Sequence, residues 1–290
     1  MTGLTAKLNI GWTPRRLTIL FLWWMARTRP SVLAHYVTDS LRYKLVERGF
    51  PSSASRHLTE VRNEFEALAA QGRFKERWFD RNIVPWCVSL SGVLDRSDSV
   101  RILEIGSWEG RSTLFLLTYF SQGPLTAVDT WAGSDEHHYN ATSDLRDLEA
   151  RFDANLGPHA ARVTKRKGSS LYVLPQLVEE QREYDLIYVD ASHLADDAFT
   201  DTINAWRLLA EGGVMIFDDV MWPAYRRPRA NTAWAIHSFL NYHSGEFKVL
   251  HAGYQVIVQK RVAFNDSPAE WNGPAEVHGD VMPESLNNTH

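Results

Sequence analysis

From residue 100 onward, the apolar and polar positions fall into blocks that alternate between two periods. The unbroken apolar runs VRILEI, LTAVD, YDLIYVD and GVMIFDD read as strands buried on both faces of a parallel sheet. Segments with helical spacing lie between and after them, around 112–120, 144–155, 195–210 and 233–243. ARVTKRKG adds a further strand, and FKVLHAGYQVIVQKR a final pair. Such alternation with short connections predicts an α/β fold with a doubly wound, mostly parallel, seven-stranded sheet.

Ahead of the sheet, residues 1–95 read as a helical N-terminal extension. One helix is predicted from 53 to about 72, with Leu58, Val61, Phe65 and Leu68 at helical spacing. Pro85 and the region 89–98 mark the boundary before the first strong strand. The apolar stretch LTILFLWWMA at 17–26 is flanked by Arg15, Arg16, Arg27 and Arg29. It falls short of the roughly 20 apolar residues that a bilayer span needs. Thr13-Pro14 resembles an N-cap followed by proline in the first turn. The first reading is therefore a core or dimer-interface helix; membrane-surface contact and a signal sequence are the others. Residues 96–261 form the α/β domain, and 262–290 an acidic tail expected to be disordered or loosely attached.

The net charge of −4 gives no case for nucleic-acid binding. Charge is uneven, with fourteen Lys/Arg against eight Asp/Glu in residues 1–95 and five acids without a Lys or Arg in 264–290. The single Cys87 excludes an intramolecular disulfide and a cysteine zinc cluster, and fits a reducing, cytoplasmic setting.

The chemistry gathers at strand ends. YDLIYVD ends on Asp190, and GVMIFDD on Asp218 and Asp219. Ligands of open α/β sheets sit beyond the carboxyl ends of the strands, so three carboxylates there suggest a site for a hard cation. The first strand runs into Glu104-x-Gly106-x-x-x-Gly110, a turn in which glycines let the backbone approach a ligand closely. It is wider than a dinucleotide turn. Glu104 would repel phosphate there but could accept a hydrogen bond from an amino acid's ammonium group. Asp129 closes the second strand nineteen residues after Gly110, where an acid can bind both ribose hydroxyls.

These stretches, with RKGSSLYVLPQL and LLAEGGVMIFDD, resemble the class I S-adenosylmethionine-dependent methyltransferases. The likeness is to the subgroup of catechol-type and macrolide-sugar O-methyltransferases and covers about 100–259. It implies that Gly106, Ser107 and neighbouring backbone contact the methionine part of S-adenosylmethionine. It also implies that Asp129 holds the ribose and that Gly168 and Ser169 lie near the adenine. A divalent ion, Mg²⁺ above all, is implied at Asp190, Asp218 and Asp219. Ala191, where the family often has Gly, and Glu211, where it often has Pro, depart from the pattern at turns.

His193, three residues beyond Asp190, is a candidate general base, with a structural role at the helix start as the other reading. Asp196, Asp197 and Asp201 read as solvated or capping residues. The polar segment 130–144, with His137, His138 and Tyr139, reads as a lid or surface loop. Trp222, Tyr225, Arg226, Arg227 and Arg229 could meet an aromatic or anionic acceptor, though a solvated basic loop fits them as well. The leading expectation is metal-assisted O-methylation of a hydroxyl on a small sugar, natural product or catechol-like molecule. A cephalosporin-hydroxylase-like or metal-independent relative, and an idle cofactor-binding accessory protein, stay open as alternatives.

Overall fold

The computed structural model describes residues 13–28, 30–49, 53–133 and 144–262. The expected tail, from 263 onward, and the heart of the expected lid, 134–143, lie outside them. Seven strands form one mixed sheet: β1 (Ile102–Ile105), β2 (Leu125–Asp129), β3 (Val163–Lys167), β4 (Tyr184–Val189), β5 (Leu209–Phe217), β6 (Phe247–Ala252) and β7 (Val256–Lys260). Their order is β3-β2-β1-β4-β5-β7-β6. The first five are mutually parallel, while β7 runs antiparallel to both β5 and β6. The chain steps outward from β1 to β3 on one side and restarts at β4 on the other. The crevice beyond the ends of β1 and β4 is thus the topological switch point, where a ligand site is expected.

The helices are α1 (Pro14–Thr28), α2 (Pro30–Glu47), α3 (Ser53–Ala69), α4 (Ile83–Leu90), α5 (Arg111–Tyr119), α6 (Leu148–Asn155), α7 (Ser170–Glu179), α8 (Ala195–Leu208) and α9 (Thr232–Tyr242). They cover both sheet faces, and the two-residue strand period decides which residue meets which layer. Ile102 joins a core with Leu58, Phe65, Trp86 and Phe115. Leu103 and Ile105 join the opposite core with Leu17, Phe21, Leu174 and Trp206. The N-terminal helices thereby share both cores with the sheet. In α1, Leu17, Phe21 and Met25 are buried, while Ile19 (60% exposed) and Trp23 (50%) face outward. Among the described residues, no helix is long and apolar enough to cross a membrane.

Three expectations change. Pro85 lies inside α4 rather than at a boundary; as its third residue it sits in the first turn, where its missing N–H has no helical partner to lose. The segment after Lys167 adds α7, which buries Val173, Leu174 and Leu177 and accommodates Pro175. Asp201 is fully buried on α8 and accepts a 2.8 Å hydrogen bond from Ser170 on α7, because α8 packs against both α7 and α9.

Candidate active site

One cleft of about 670 Å³ opens at the carboxyl ends of β1, β2, β4 and β5. Gly106, Ser107, Asp129, Gly168, Ser169, Asp190, His193, Asp218 and Asp219 all line it. Ladder hydrogen bonds run on past the strands and bring these residues together. The Asp190 amide donates to Ile105 O (2.8 Å), and the Asp218 amide to Val189 O (3.0 Å). Gly106 has φ 91°, and a side chain there would collide with the Asp190 carbonyl, so only glycine lets β1 and β4 leave the sheet this close together.

Asp129 organises the glycine turn. Its Oδ2 accepts from the amides of Ser107 and Trp108 (2.8 Å each), and its Oδ1 from the Trp131 amide (2.6 Å). Burial raises its pKa, and these amides oppose the shift by favouring the charged form. The Gly168 amide donates to Asp129 O (2.9 Å), which clips the next turn to the end of β2.

Two residues expected at the cofactor stand behind the cleft. Glu104 shares the sheet face of Ile102, and its side chain enters the layer of α5. There its Oε1 accepts from Ser112 Oγ (2.5 Å) and its Oε2 from Thr113 Oγ1. It is fully buried, and burial pushes its pKa up to about 7 against the pull of these hydroxyls. The strand period therefore turns it away from any ammonium group in the cleft. Gly110 has φ 80° at the start of α5, and a side chain would meet Phe152, so its role there is helix entry.

At the other end of the cleft, Asp190, His193 and Asp219 each bring a ligand atom within 4.8 Å of the others. The imidazole Nε2 of His193 lies 2.6 Å from Asp219 Oδ2, and Trp222 stands edge-on to that ring at 4.5 Å. Asp219 has φ 52°, a left-handed turn that swings its carboxylate towards His193. Arg81 lies 3.9 Å from Asp219 Oδ1 and stacks on Tyr254.

Two of the three expected metal ligands, Asp190 and Asp219, belong to this cluster. Asp218 is drawn inward: its Oδ2 meets Tyr188 Oη and Gln255 Nε2 (2.7 Å), with Asn82 Nδ2 at 3.4 Å. Its Oδ1 accepts from the Asp219 amide (2.7 Å). His193, expected as a base, is the third residue whose side chain reaches Asp190 and Asp219. Tyr188 also reaches Asp190 Oδ2 at 2.7 Å.

Electrostatics mark the cluster as short of positive charge. Burial and the charges of Asp218 and Asp219 raise the Asp190 pKa well above the usual carboxylate range. Burial and Asp219 push Asp218 up to about 6. Burial also acts to raise Asp219, but the His193 hydrogen bond and charge outweigh it and hold Asp219 low. Crowded buried carboxylates must either keep protons or gain a cation.

Elsewhere the loop after Asp219 is tied by Asn231, whose side chain bonds the backbone of Tyr225, Arg227 and Pro228. Arg229 stacks on Trp234, and from this loop Trp222 lines the cleft. Sequence reasoning missed Tyr188, Tyr254, Gln255 and Asn82. Only Tyr188 carried a signal, since it sits two residues before Asp190 on the same strand face.

Residues 103–220 match the family described as Methyltransferase domain. O-methyltransferase hkm8 of Aspergillus hancockii is 32% identical over 123 residues, 41% of this chain and 42% of that protein. The chain thus matches less than half the length of this curated relative. Among solved structures, the O-methyltransferase from Bacillus cereus, in complex with SAH, aligns at TM-score 0.47 and 18% identity over 79% of this chain and 100% of that one. TomG from Streptomyces achromogenes, an O-methyltransferase in complex with SAM, aligns at TM-score 0.46 and 18% identity over 73% and 91%. MycE, in complex with Mg, SAH and mycinamycin VI, aligns at TM-score 0.46 and 17% identity over 74% and 57%. The matched stretch runs from β1 through the acidic pair that follows β5.

Proposed function

We propose that this protein is an S-adenosylmethionine-dependent O-methyltransferase that methylates a hydroxyl of a small molecule with the help of a divalent cation. The observation that carries this reading is the convergence, in one cleft, of the Asp129-braced glycine turn with the Asp190–His193–Asp219 cluster. The match of 103–220 to a methyltransferase domain and the identity to an O-methyltransferase support it.

Gly106, Ser107, Asp129, Gly168 and Ser169 would hold the cofactor. Its methyl-sulfonium end would face the acidic cluster at the switch point. Asp190 and Asp219 supply oxygen ligands suited to Mg²⁺ or another divalent cation, whose charge would stabilise the alkoxide or phenolate formed from the acceptor. When bound, S-adenosylmethionine would supply the methyl group and leave as S-adenosylhomocysteine, its sulfur keeping the electron pair of the carbon–sulfur bond. His193 would take the hydroxyl proton, and Asp219, 2.6 Å from its Nε2, would stabilise the imidazolium that results. Trp78, Trp222 and Tyr254 offer aromatic walls to the acceptor.

The buried Cys87 supports a cytoplasmic setting. Outward-facing Ile19 and Trp23 on α1 support contact with a second copy or with a membrane surface. Methyl transfer to a panel of polyhydroxylated sugars and catechols, with and without chelator, tests the activity. Cation-dependent product supports the reading, while turnover of the metal-free protein in excess chelator removes the cation from it.

A further inference from the structure

We propose that Trp86 and Gln255 are positioning residues for the reaction centre, acting through Asp218; the proposal rests on the cation-binding reading of the cluster given above. Neither residue lines the cleft. Trp86 Nε1 donates to Gln255 Oε1 at 2.6 Å, and Gln255 Nε2 donates to Asp218 Oδ2 at 2.7 Å. An indole N–H is a donor only, so it must face the amide oxygen and turn the amide NH₂ towards the carboxylate. The orientation of Gln255 is therefore set by a residue 169 positions away, on α4 of the N-terminal extension.

Trp86 has little freedom to release that bond. It is fully buried, with Phe79, Phe115 and Tyr188 edge-on at 4.9, 5.8 and 4.8 Å. Gln255 is 2% exposed. Together with Tyr188 and the Asp219 amide, Gln255 gives Asp218 a full set of donors. That set explains why Asp218 turns inward and leaves the cluster to Asp190, His193 and Asp219. It also holds the Tyr188 hydroxyl, which has one proton to give, between Asp218 and Asp190, and so keeps the Asp190 carboxyl group at the strand end. With Gln255 free to flip, its carbonyl oxygen would face Asp218 and repel it, and the Tyr188 hydroxyl that fixes Asp190 would lose its place. The N-terminal helices therefore do more than cover the sheet, because one of them sets the aim of a carboxylate at the centre of the site.

The test is a double-mutant cycle on the full chain without cofactor, read by calorimetric titration of Mn²⁺ and, separately, of S-adenosylhomocysteine. Trp86→Phe and Gln255→Met should each weaken Mn²⁺ binding by about 10-fold or more, as expected when a residue that orients a metal ligand is lost. The double variant should bind Mn²⁺ no worse than Gln255→Met alone, because Trp86 acts only through the amide. S-adenosylhomocysteine affinity should stay at the wild-type level in all three. Additive losses, unchanged Mn²⁺ affinity, or parallel loss of both ligands would overturn the proposal. A wild-type protein that takes up S-adenosylhomocysteine but no Mn²⁺ would overturn the cation reading itself, and this inference with it. Gln255→Met, nearly isosteric, carries the test if Trp86→Phe does not fold.

Discussion

His193 Nε2 and Asp219 Oδ2 lie 2.6 Å apart, across the gap between the turns that follow β4 and β5. The pair joins an imidazole to a carboxylate that the His193 hydrogen bond and charge hold in its charged form. It forms at the one place in the sheet where neighbouring strands, β4 and β5, both end in acids.

The first prediction concerns this pair. His193→Ala should lower turnover by at least about 10-fold, the smaller end of what a general base contributes, and leave S-adenosylhomocysteine affinity unchanged. Steady-state rates and calorimetry check it. Near-normal turnover would pass the proton-accepting role to Asp190.

Asp129→Ala should damage binding and folding together. Its carboxylate accepts from the amides of Ser107, Trp108 and Trp131, and leaving buried amides unpaired costs about 1–3 kcal/mol. Cofactor affinity and the urea midpoint should both fall, with Asp129→Asn milder on each. A variant of unchanged stability that has lost only cofactor affinity would show that Asp129 serves the ribose alone.

Much of this was legible in the chain, and the reason is local. β4 and β5 announce themselves as apolar runs, and the acids that follow them must lie at the carboxyl end of the sheet whatever the rest of the fold does. Gly106 and Asp129 are readable in the same way, from their place just beyond a strand. Glu104 was misplaced because all four residues of β1 are buried, so neither sheet face leaves a polar mark to show where its side chain points. Asp201 read as solvated because its helix carries acids at 196 and 197, yet α8 is flanked by α7 and α9. Two donors to Asp218, Asn82 and Gln255, could not be read at all. Asn82 and Gln255 are 136 and 37 residues from it in sequence, and only the packing of α4 against the sheet brings them together.

The pH dependence of stability should carry the signature of Glu104. Its pKa is about 7 in the folded protein, against 4.5 when unperturbed. The folded state thus holds this proton more tightly than the unfolded state. Its contribution is fully present below pH 4.5 and is lost as pH rises through 7. Glu104→Gln keeps an acceptor and removes the titration. Relative to wild type, the variant should gain stability between pH 5 and pH 8, by up to about 3 kcal/mol on the scale of 1.36 kcal/mol per pKa unit. Urea midpoints across that range check this; a stability difference that does not change with pH would contradict it.

Gly106→Ala should cripple the fold. The added methyl would strike the Asp190 backbone carbonyl at a residue with φ 91°, and neither strand can give way without breaking the sheet. A soluble, cooperatively folding variant with wild-type thermal stability would contradict the close approach of β1 and β4.

The central claim is that this cleft is built for S-adenosylmethionine, and calorimetric titration of the purified protein with S-adenosylhomocysteine and with NAD, side by side, tests it most directly. The glycine turn braced by Asp129 predicts saturable binding of S-adenosylhomocysteine and little heat with NAD. NAD binding more tightly than S-adenosylhomocysteine, or no binding of S-adenosylhomocysteine by the folded protein, would contradict it.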